Sequence, residues 1–515
     1  MITYEKLLSA DPAAWRAAGR AWQQVSDLVD ARAAEVAGTA AGLRRRWSGP
    51  ASVAAGRAVE RVRGDLVGSR PAFVDVDQVL AEYAAALGAA RASLVAAVGS
   101  APAGVVVDPG GLVSVELSVQ PGEAATRRVA AGRVAAAIEA ALALAAAADG
   151  QAAHRLAGLA ANACSGWTAQ PPPYRPAPGA EPADVRRWWD GLDPAQRRWL
   201  VQHEARLVGR LDGVPADARD QANRLLLEDQ SADLREQRSA LLARRPRTLA
   251  VLRDLARLRR TLDGIDAIRD RLTAGTGPRA YLLALDPSGD GRSVVAVGNP
   301  DRADNVLTYV PGMTSDLPGI DGELDRTYAM ATRCAELGPT ERTATVLWLN
   351  YDAPDFVHEA ARAAQAQDAG PALHRFQEGL RATHEGPPAH QAVLGHSYGS
   401  LVVGATARDH GLAADSLVFV GSPGVGVDHA SQLGLSPSRV WSSTAYDDVI
   451  QYGALSPQAW LDRLARAGLS PVATLPLLVG LPSDDLWFGR NPSDPSFGGR
   501  IFGSADRGHV GYWDP

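Results

Sequence analysis

The spacing of apolar positions changes once along this 515-residue chain, and the change divides it. Up to about residue 165 they recur at helical spacing. Trp15, Ala18, Trp22, Val25 and Leu28 fall on one helical face, behind an Asp11-Pro12 pair that supplies an N-cap and a first-turn proline. The run stops at Arg46-Trp47-Ser48-Gly49-Pro50, where glycine and proline break a helix. A second helical run is predicted from about Ala51, interrupted near Pro71 and resuming to about Val98. Six prolines between residues 166 and 184 read as an extended linker and a domain boundary. Helical spacing returns from Val185 to about Thr273, dense in Arg, Asp and Glu, which is the pattern of a solvated helix face.

From residue 277 the period becomes that of strands. Segments 279–285 and 293–297 flank Asp286-Pro-Ser-Gly-Asp-Gly, a strong hairpin turn. Further strands are predicted at 305–310, 343–349, 391–394, 416–420, 439–443 and 500–502, with helical patterns at 319–337, 355–383 and 398–410. An opening hairpin followed by β-α alternation predicts an α/β domain, a mostly parallel sheet with helices on both faces. All-α helical domains precede it. The expected division is an Ala-rich helical domain at 1–165, a linker at 166–184, a helical segment at 185–275 packed on the sheet domain, and the sheet domain at 276–515.

Composition removes whole classes of chemistry. A net charge of −6 makes no electrostatic case for nucleic acid. Lys6 is the only lysine, and its position fits neither a Walker A loop, a protein-kinase strand lysine nor a pyridoxal Schiff base. Cys164 and Cys334 lie too far apart for a Cys-x-x-Cys site, and no H-E-x-x-H occurs, so neither a metal nor a cofactor is expected. The first residues lack the basic start and apolar core of a signal peptide. The most apolar helical stretch, 134–148, is shorter than the roughly 20 residues a bilayer needs, so no transmembrane segment is expected. The chain therefore reads as cytoplasmic, or as exported by a route without a cleaved signal.

The chemistry-bearing residues lie late in the chain. Gly395-His396-Ser397-Tyr398-Gly399 is its one G-x-S-x-G. An apolar run, Ala392-Val393-Leu394, precedes it, and a helical one, Leu401-Val402-Val403, follows. A strand entering a glycine-flanked serine that opens a helix resembles the nucleophile elbow of an α/β-hydrolase, with Ser397 as nucleophile. A serine hydroxyl needs a base within hydrogen-bond reach and an acid to orient that base. The chain order in this fold is Ser, then Asp or Glu, then His. His410 and His429 come too early, and His509 follows the last strand, where the base belongs. The loop after 439–443 offers Asp447 and Asp448. Asp448 is favoured, Asp447 is the alternative, and the apolar Val449-Ile450 pair is expected to anchor the loop. One oxyanion-hole amide is expected from Tyr398 and the other from Met313 or Thr314, beyond the turn at Gly312. Between these last two the sequence does not choose.

Residues 185–515 resemble an actinobacterial α/β-hydrolase family formerly of unknown function, related to cutinases and lipases. The matching residues are Trp188-Trp189, Leu211-Asp-Gly-Val-Pro215, Arg219-Asp220-x-x-Asn223-Arg224, Val310-Pro-Gly312, the elbow, Gly421-Ser-Pro-Gly424 and Gly508-His509. The resemblance implies a serine hydrolase acting on a small-molecule or lipid ester through an acyl-enzyme. An amidase or thioesterase would use the same triad. A second class is a non-catalytic interaction scaffold on a hydrolase fold. Residues 1–165, with Trp47-Ser-Gly49 between two helical runs, resemble the WXG-type hairpins of ESX (type VII) secretion. That implies a helical partner or self-association, with the tryptophan packed on the partner helix. Residues 454–499 read either as a lid, with Trp460, Leu475, Leu477, Leu478 and Trp487 lining an acyl site, or as a segment whose apolar residues simply pack the domain.

Overall fold

The structure, a computed structural model, describes residues 2–44, 47, 49–116, 124–164, 171–244, 248–274, 278–453 and 485–513. It divides into two compact units, Met1–Gln170 and Pro171–Pro515.

The first unit contains α1 (Tyr4–Leu8), α2 (Pro12–Arg44), α3 (Pro50–Gly99), β1 (Val105–Val107), β2 (Val113–Val115) and α4 (Ala124–Cys164). The Asp11 carboxylate accepts the Ala13 and Ala14 N–H groups at 3.0 and 3.3 Å, the N-cap its sequence implies. α2 lies on α3 along a seam of small residues. Gly19, Ser26 and Ala33 are buried, and a Cβ at Gly19 would stand 2.6 Å from Asp77 Oδ1. Arg16 pairs with Asp77 and Arg70 with Asp30 across the same seam. α3 and α4 share an apolar stripe of Leu87, Ala90 and Leu94 against Val134, Ile138 and Ala141.

Four expectations change here. α3 runs unbroken through Pro71, because one lost backbone hydrogen bond is offset when a long helix is packed along its length. Trp47, expected to pack on the partner helix, is 44% exposed. The antiparallel β1–β2 hairpin, three residues a strand, was too short to give a period. Finally, Ala72–Gly99 and Ala124–Ala160 are long and apolar enough, by length and composition, to cross a membrane. The 134–148 run understated this, since α4 continues in alanine well beyond both of its ends.

The second unit opens with α5 (Pro182–Asp190), α6 (Pro194–His203), α7 (Ala205–Arg210), α8 (Ala216–Ala243) and α9 (Leu249–Thr273). From Pro171 on, the proline-rich stretch is pinned rather than free. Arg175 holds Glu204 through two hydrogen bonds of 2.7 and 2.6 Å, and Trp188 Nε1 donates to the Tyr174 carbonyl. The sheet follows: β3 (Ala280–Asp286), β4 (Arg292–Val297), β5 (Asn305–Val310), α10 (Ile320–Leu337), β6 (Thr343–Leu349), α11 (Val357–Ala360), α12 (Ala364–Thr383), β7 (His390–His396), α13 (Tyr398–Asp409), β8 (Ser416–Val420), β9 (Val440–Ser443), α14 (Ile450–Gly453), a two-residue hairpin β10 (Asp485–Leu486) and β11 (Gly489–Arg490), and β12 (Arg500–Ile501). The eight-stranded order is β12-β9-β8-β7-β5-β6-β4-β3. From β12 to β6 the neighbours are parallel; β4 pairs antiparallel with both β6 and β3.

The α8 signature residues have a defined task. β3 is an edge strand, and an edge leaves backbone groups unpaired. Asp220 accepts the Leu282 N–H at 2.8 Å, Asn223 donates to the Leu282 carbonyl at 3.0 Å, and Arg219 donates to the Leu283 carbonyl at 3.1 Å. Side chains of one helix thus take the place of a ninth strand. Inside, Leu282, Val295, Val346, Leu347, Val393 and Leu417 are fully buried. The parallel strands end together, so the loops after β5, β7, β8 and β9 gather at one edge.

Candidate active site

Ser397 follows the last residue of β7 and precedes the first of α13, with φ 54° and ψ −127°. A non-glycine residue in that region is strained, and such strain persists only where neighbours over-determine it. Here they do. A Cβ at Gly395 would lie 2.5 Å from Ser400 Cα, and one at Gly399 would lie 2.2 Å from the Val310 carbonyl oxygen. Both glycines are therefore required by contact, and Ser397 N–H is fixed on the Val420 carbonyl at 2.9 Å.

His509 Nε2 stands 2.8 Å from Ser397 Oγ. Its Nδ1 stands 2.9 and 3.0 Å from the two oxygens of Asp448. These are ordinary hydrogen-bond lengths in both links. The Asp448 carboxylate is fully buried and also accepts from Tyr512 OH at 2.6 Å and from Ile450 N–H at 2.8 Å. Burial alone would raise its pKa, but the bonds from His509, Tyr512 and Ile450 outweigh it and hold the carboxyl below its ordinary range. Gly421 lies beneath the pair with φ 55°; a Cβ there would come within 2.9 Å of Asp448 Oδ2 and 3.2 Å of His509 Nδ1.

Asp447, the alternative acid, is exposed and points elsewhere: it accepts the Gly508 N–H at 2.9 Å. The loop's expected apolar anchor is not what holds it. Val449 is exposed, and the loop is fixed instead by the Ile450 amide and by Tyr512, whose hydroxyl also accepts from Ala445 N–H at 2.8 Å. His410 ends α13, and His429 precedes a short turn at Ala430–Leu433.

The loop after β5 passes directly over the serine. A Cβ at Gly312 would lie 2.7 Å from Ser397 Cβ and 3.2 Å from its Oγ. Thr314 takes a positive φ of 64°, and its N–H is committed to the Pro354 carbonyl at 2.9 Å. The Thr314 amide proton is thus already engaged within the fold, and one amide proton cannot serve two partners. Tyr351 OH donates to the Pro311 carbonyl at 2.7 Å, and Tyr398 OH to the Arg362 carbonyl at 2.6 Å, so the loop after β6 supports both flanks of the serine.

Tyr512 and Gly421 are the support residues that sequence reasoning did not place in the site. A tyrosine three residues after the base was the available signal. Among the expected lid residues, Trp460, Leu475, Leu477 and Leu478 lie outside the described residues. Trp487 sits in the β10–β11 turn against Phe488. Among the described residues, no three His, Cys, Asp or Glu side chains are grouped to hold a metal.

Residues 286–457 match the family model described as alpha/beta hydrolase. The uncharacterized protein Rv2079 of Mycobacterium tuberculosis is 32% identical over 295 residues, covering 53% of this chain and 44% of that protein. This chain therefore spans less than half of that relative's length. Rv0963c of the same organism, also uncharacterized, is 34% identical over 197 residues, covering 36% of this chain and 73% of that protein. Among solved structures, a hyperthermophilic esterase from Pyrobaculum calidifontis is similar at 13% identity and a TM-score of 0.26, covering 55% of this chain and 90% of that one.

Proposed function

Since the chain belongs to this α/β-hydrolase family of mycobacterial relatives, we propose that it is a serine hydrolase cleaving a carboxylic ester through an acyl-enzyme. Ser397 Oγ attacks the ester carbonyl carbon while His509 Nε2 takes its proton. The Asp448 carboxylate holds the resulting imidazolium through Nδ1. Backbone N–H groups of Tyr398 and Met313 stabilise the tetrahedral oxyanion. Collapse expels the alcohol, which leaves with the proton from His509. Water then attacks the acyl carbon, His509 accepts its proton, and the acid departs as Ser397 recovers its hydrogen.

The observation that carries this reading is the pair of hydrogen bonds at 2.8 and 2.9 Å on opposite nitrogens of one imidazole. An interaction scaffold has no use for a buried carboxylate, a half-buried imidazole and a strained serine aligned in that order. The test is turnover of esters graded by acyl length, with Ser397→Ala as control. Ester turnover that vanishes in the control supports the reading; equal turnover in both proteins rejects it. We assign to residues 1–165 a part in targeting or assembly, as a WXG-type hairpin, and none in the chemistry.

A further inference from the structure

We propose that His396, the residue immediately before the nucleophile, is a positioning residue that sets the base by donating its Nε2–H to the backbone carbonyl of His509. The inference rests on the Ser397, His509 and Asp448 assignment above. The link is 2.9 Å long. A carbonyl oxygen only accepts, so His396 Nε2 must carry the hydrogen. Burial, reinforced by the neighbouring His509, pushes the His396 pKa down to about 4, so the ring stays neutral near neutral pH and keeps one hydrogen to give. Arg326 and Asp448 are the other charged groups that act on it.

The geometry gives this bond a leverage that its strength alone would not. Ser397 and His509 are 112 positions apart in the chain. Ser397 and His396 are covalent neighbours on the rigid end of β7. One residue therefore receives the His509 ring and the other holds the His509 main chain, so the distance between nucleophile and base is fixed over a single peptide unit. Apart from its ring bonds to Ser397 and Asp448, the base is held through its neighbours: among the described residues from Gly508 there is no strand ladder, and the other ties are Gly508 N–H on Asp447 and the Tyr512 hydroxyl, which donates to Asp448 and accepts from Ala445 N–H. The His396 ring also packs 5.1 Å from the His509 ring and 5.7 Å from Trp513, which meets Tyr309 at 5.2 Å. Because the bond is made to the backbone, the imidazole stays free to turn between Ser397 and Asp448. A misplacement of about 1 Å can cost on the order of a hundredfold in rate, so a main-chain tether has kinetic consequences without touching substrate.

The test compares His396→Leu, which keeps volume and loses the donor, with His396→Gln, which restores a donor, both in the full chain. Two readouts are taken: the second-order rate of fluorophosphonate labelling, and kcat and KM on a short-chain p-nitrophenyl ester. His396→Leu is expected to lower the labelling rate and kcat by about ten- to a hundredfold, with KM changed by less than about threefold. His396→Gln should recover most of that loss. If His396→Leu does not fold, His396→Ala takes its place in the comparison with Gln. A Leu variant that labels at the wild-type rate, while Ser397→Ala takes no label, overturns the inference and leaves the proposed function standing. A Gln variant as slow as Leu also overturns it, because ring packing and not the donor would then matter. A folded wild-type chain that takes no label removes the triad reading and this inference with it.

Discussion

The two compact units draw on the same alanine- and arginine-rich stock and spend it differently. In Met1–Gln170 the long helices meet along narrow seams, such as Gly19, Ser26 and Ala33 on α2, and leave Trp15, Trp22, Leu28, Val129 and Leu144 exposed. In Pro171–Pro515 the central strands are covered on both faces, and five of the six β4 residues are buried. A single seam fixes how two helices lie but little else. A sheet packed from both sides fixes the ends of all its strands at once. Only the second arrangement can hold a serine, an imidazole and a carboxylate from three loops at hydrogen-bond distance. The lesson is that reactive geometry follows over-determined packing.

That contrast can be broken at graded points. The largest effect should come from Ser397→Ala, which is expected to lower ester turnover by about 10⁴-fold or more while leaving thermal unfolding within a few degrees. Undiminished turnover in a folded variant would end the nucleophile assignment. Next, Asp448→Asn should cost about 10³- to 10⁴-fold, because the imidazole loses the carboxylate that fixes its tautomer and stabilises its charged form. Asp447→Asn should cost about tenfold or less, since it weakens only the grip on Gly508. A reversed ranking in steady-state assays would exchange the two roles.

The complementary change falls in the first unit. Gly19→Leu forces a side chain into the α2–α3 seam, where a Cβ already meets the Asp77 carbonyl at 3.1 Å. Overpacking should destabilise that unit by about 1–3 kcal/mol, partly offset by leucine's better helix propensity, with kcat unchanged. Differential scanning calorimetry read beside the ester assay checks both halves, and a parallel fall in activity would contradict the separation.

The smallest effect concerns Asp301, buried between the Ala216 N–H and the Thr383 hydroxyl. Burial outweighs these two bonds and pushes its pKa up to about 6. The folded state thus holds this proton where the unfolded chain has released it. The resulting stability is full below the ordinary carboxylate range and is lost as pH rises to about 6. Asp301→Asn should remove this fall, leaving a flatter melting-temperature profile between about pH 4 and 6. Identical profiles for the two proteins would show that Asp301 does not titrate in that window.

The sheet was legible because doubly buried strands write continuous apolar runs. The eight segments read from the sequence coincide with the eight strands to within about two residues at each end. Ser397, chosen from the elbow pattern, and Asp448 and His509, sought after it in chain order, are brought together at one strand edge. What escaped the sequence was whatever depends on a partner in space. Pro71 reads as a break, yet it lies within α3. Thr314 looked free to donate until the fold placed the Pro354 carbonyl against it. Asp447 and Asp448 are adjacent in sequence, and only the fold shows that one faces the imidazole and the other the Gly508 amide. Tyr512 and His396 each act on a group that another segment supplies, and of the two only Tyr512, three residues after the base, left a signal in the sequence.

The most direct measurement is mass mapping of a fluorophosphonate adduct on two proteins, the full chain and the 171–515 fragment, which retains the Arg175–Glu204 pair. The account predicts one adduct, on the peptide containing Ser397, formed at rates within about twofold of each other. A folded full chain that takes no adduct, or takes it on a different serine, would contradict the account.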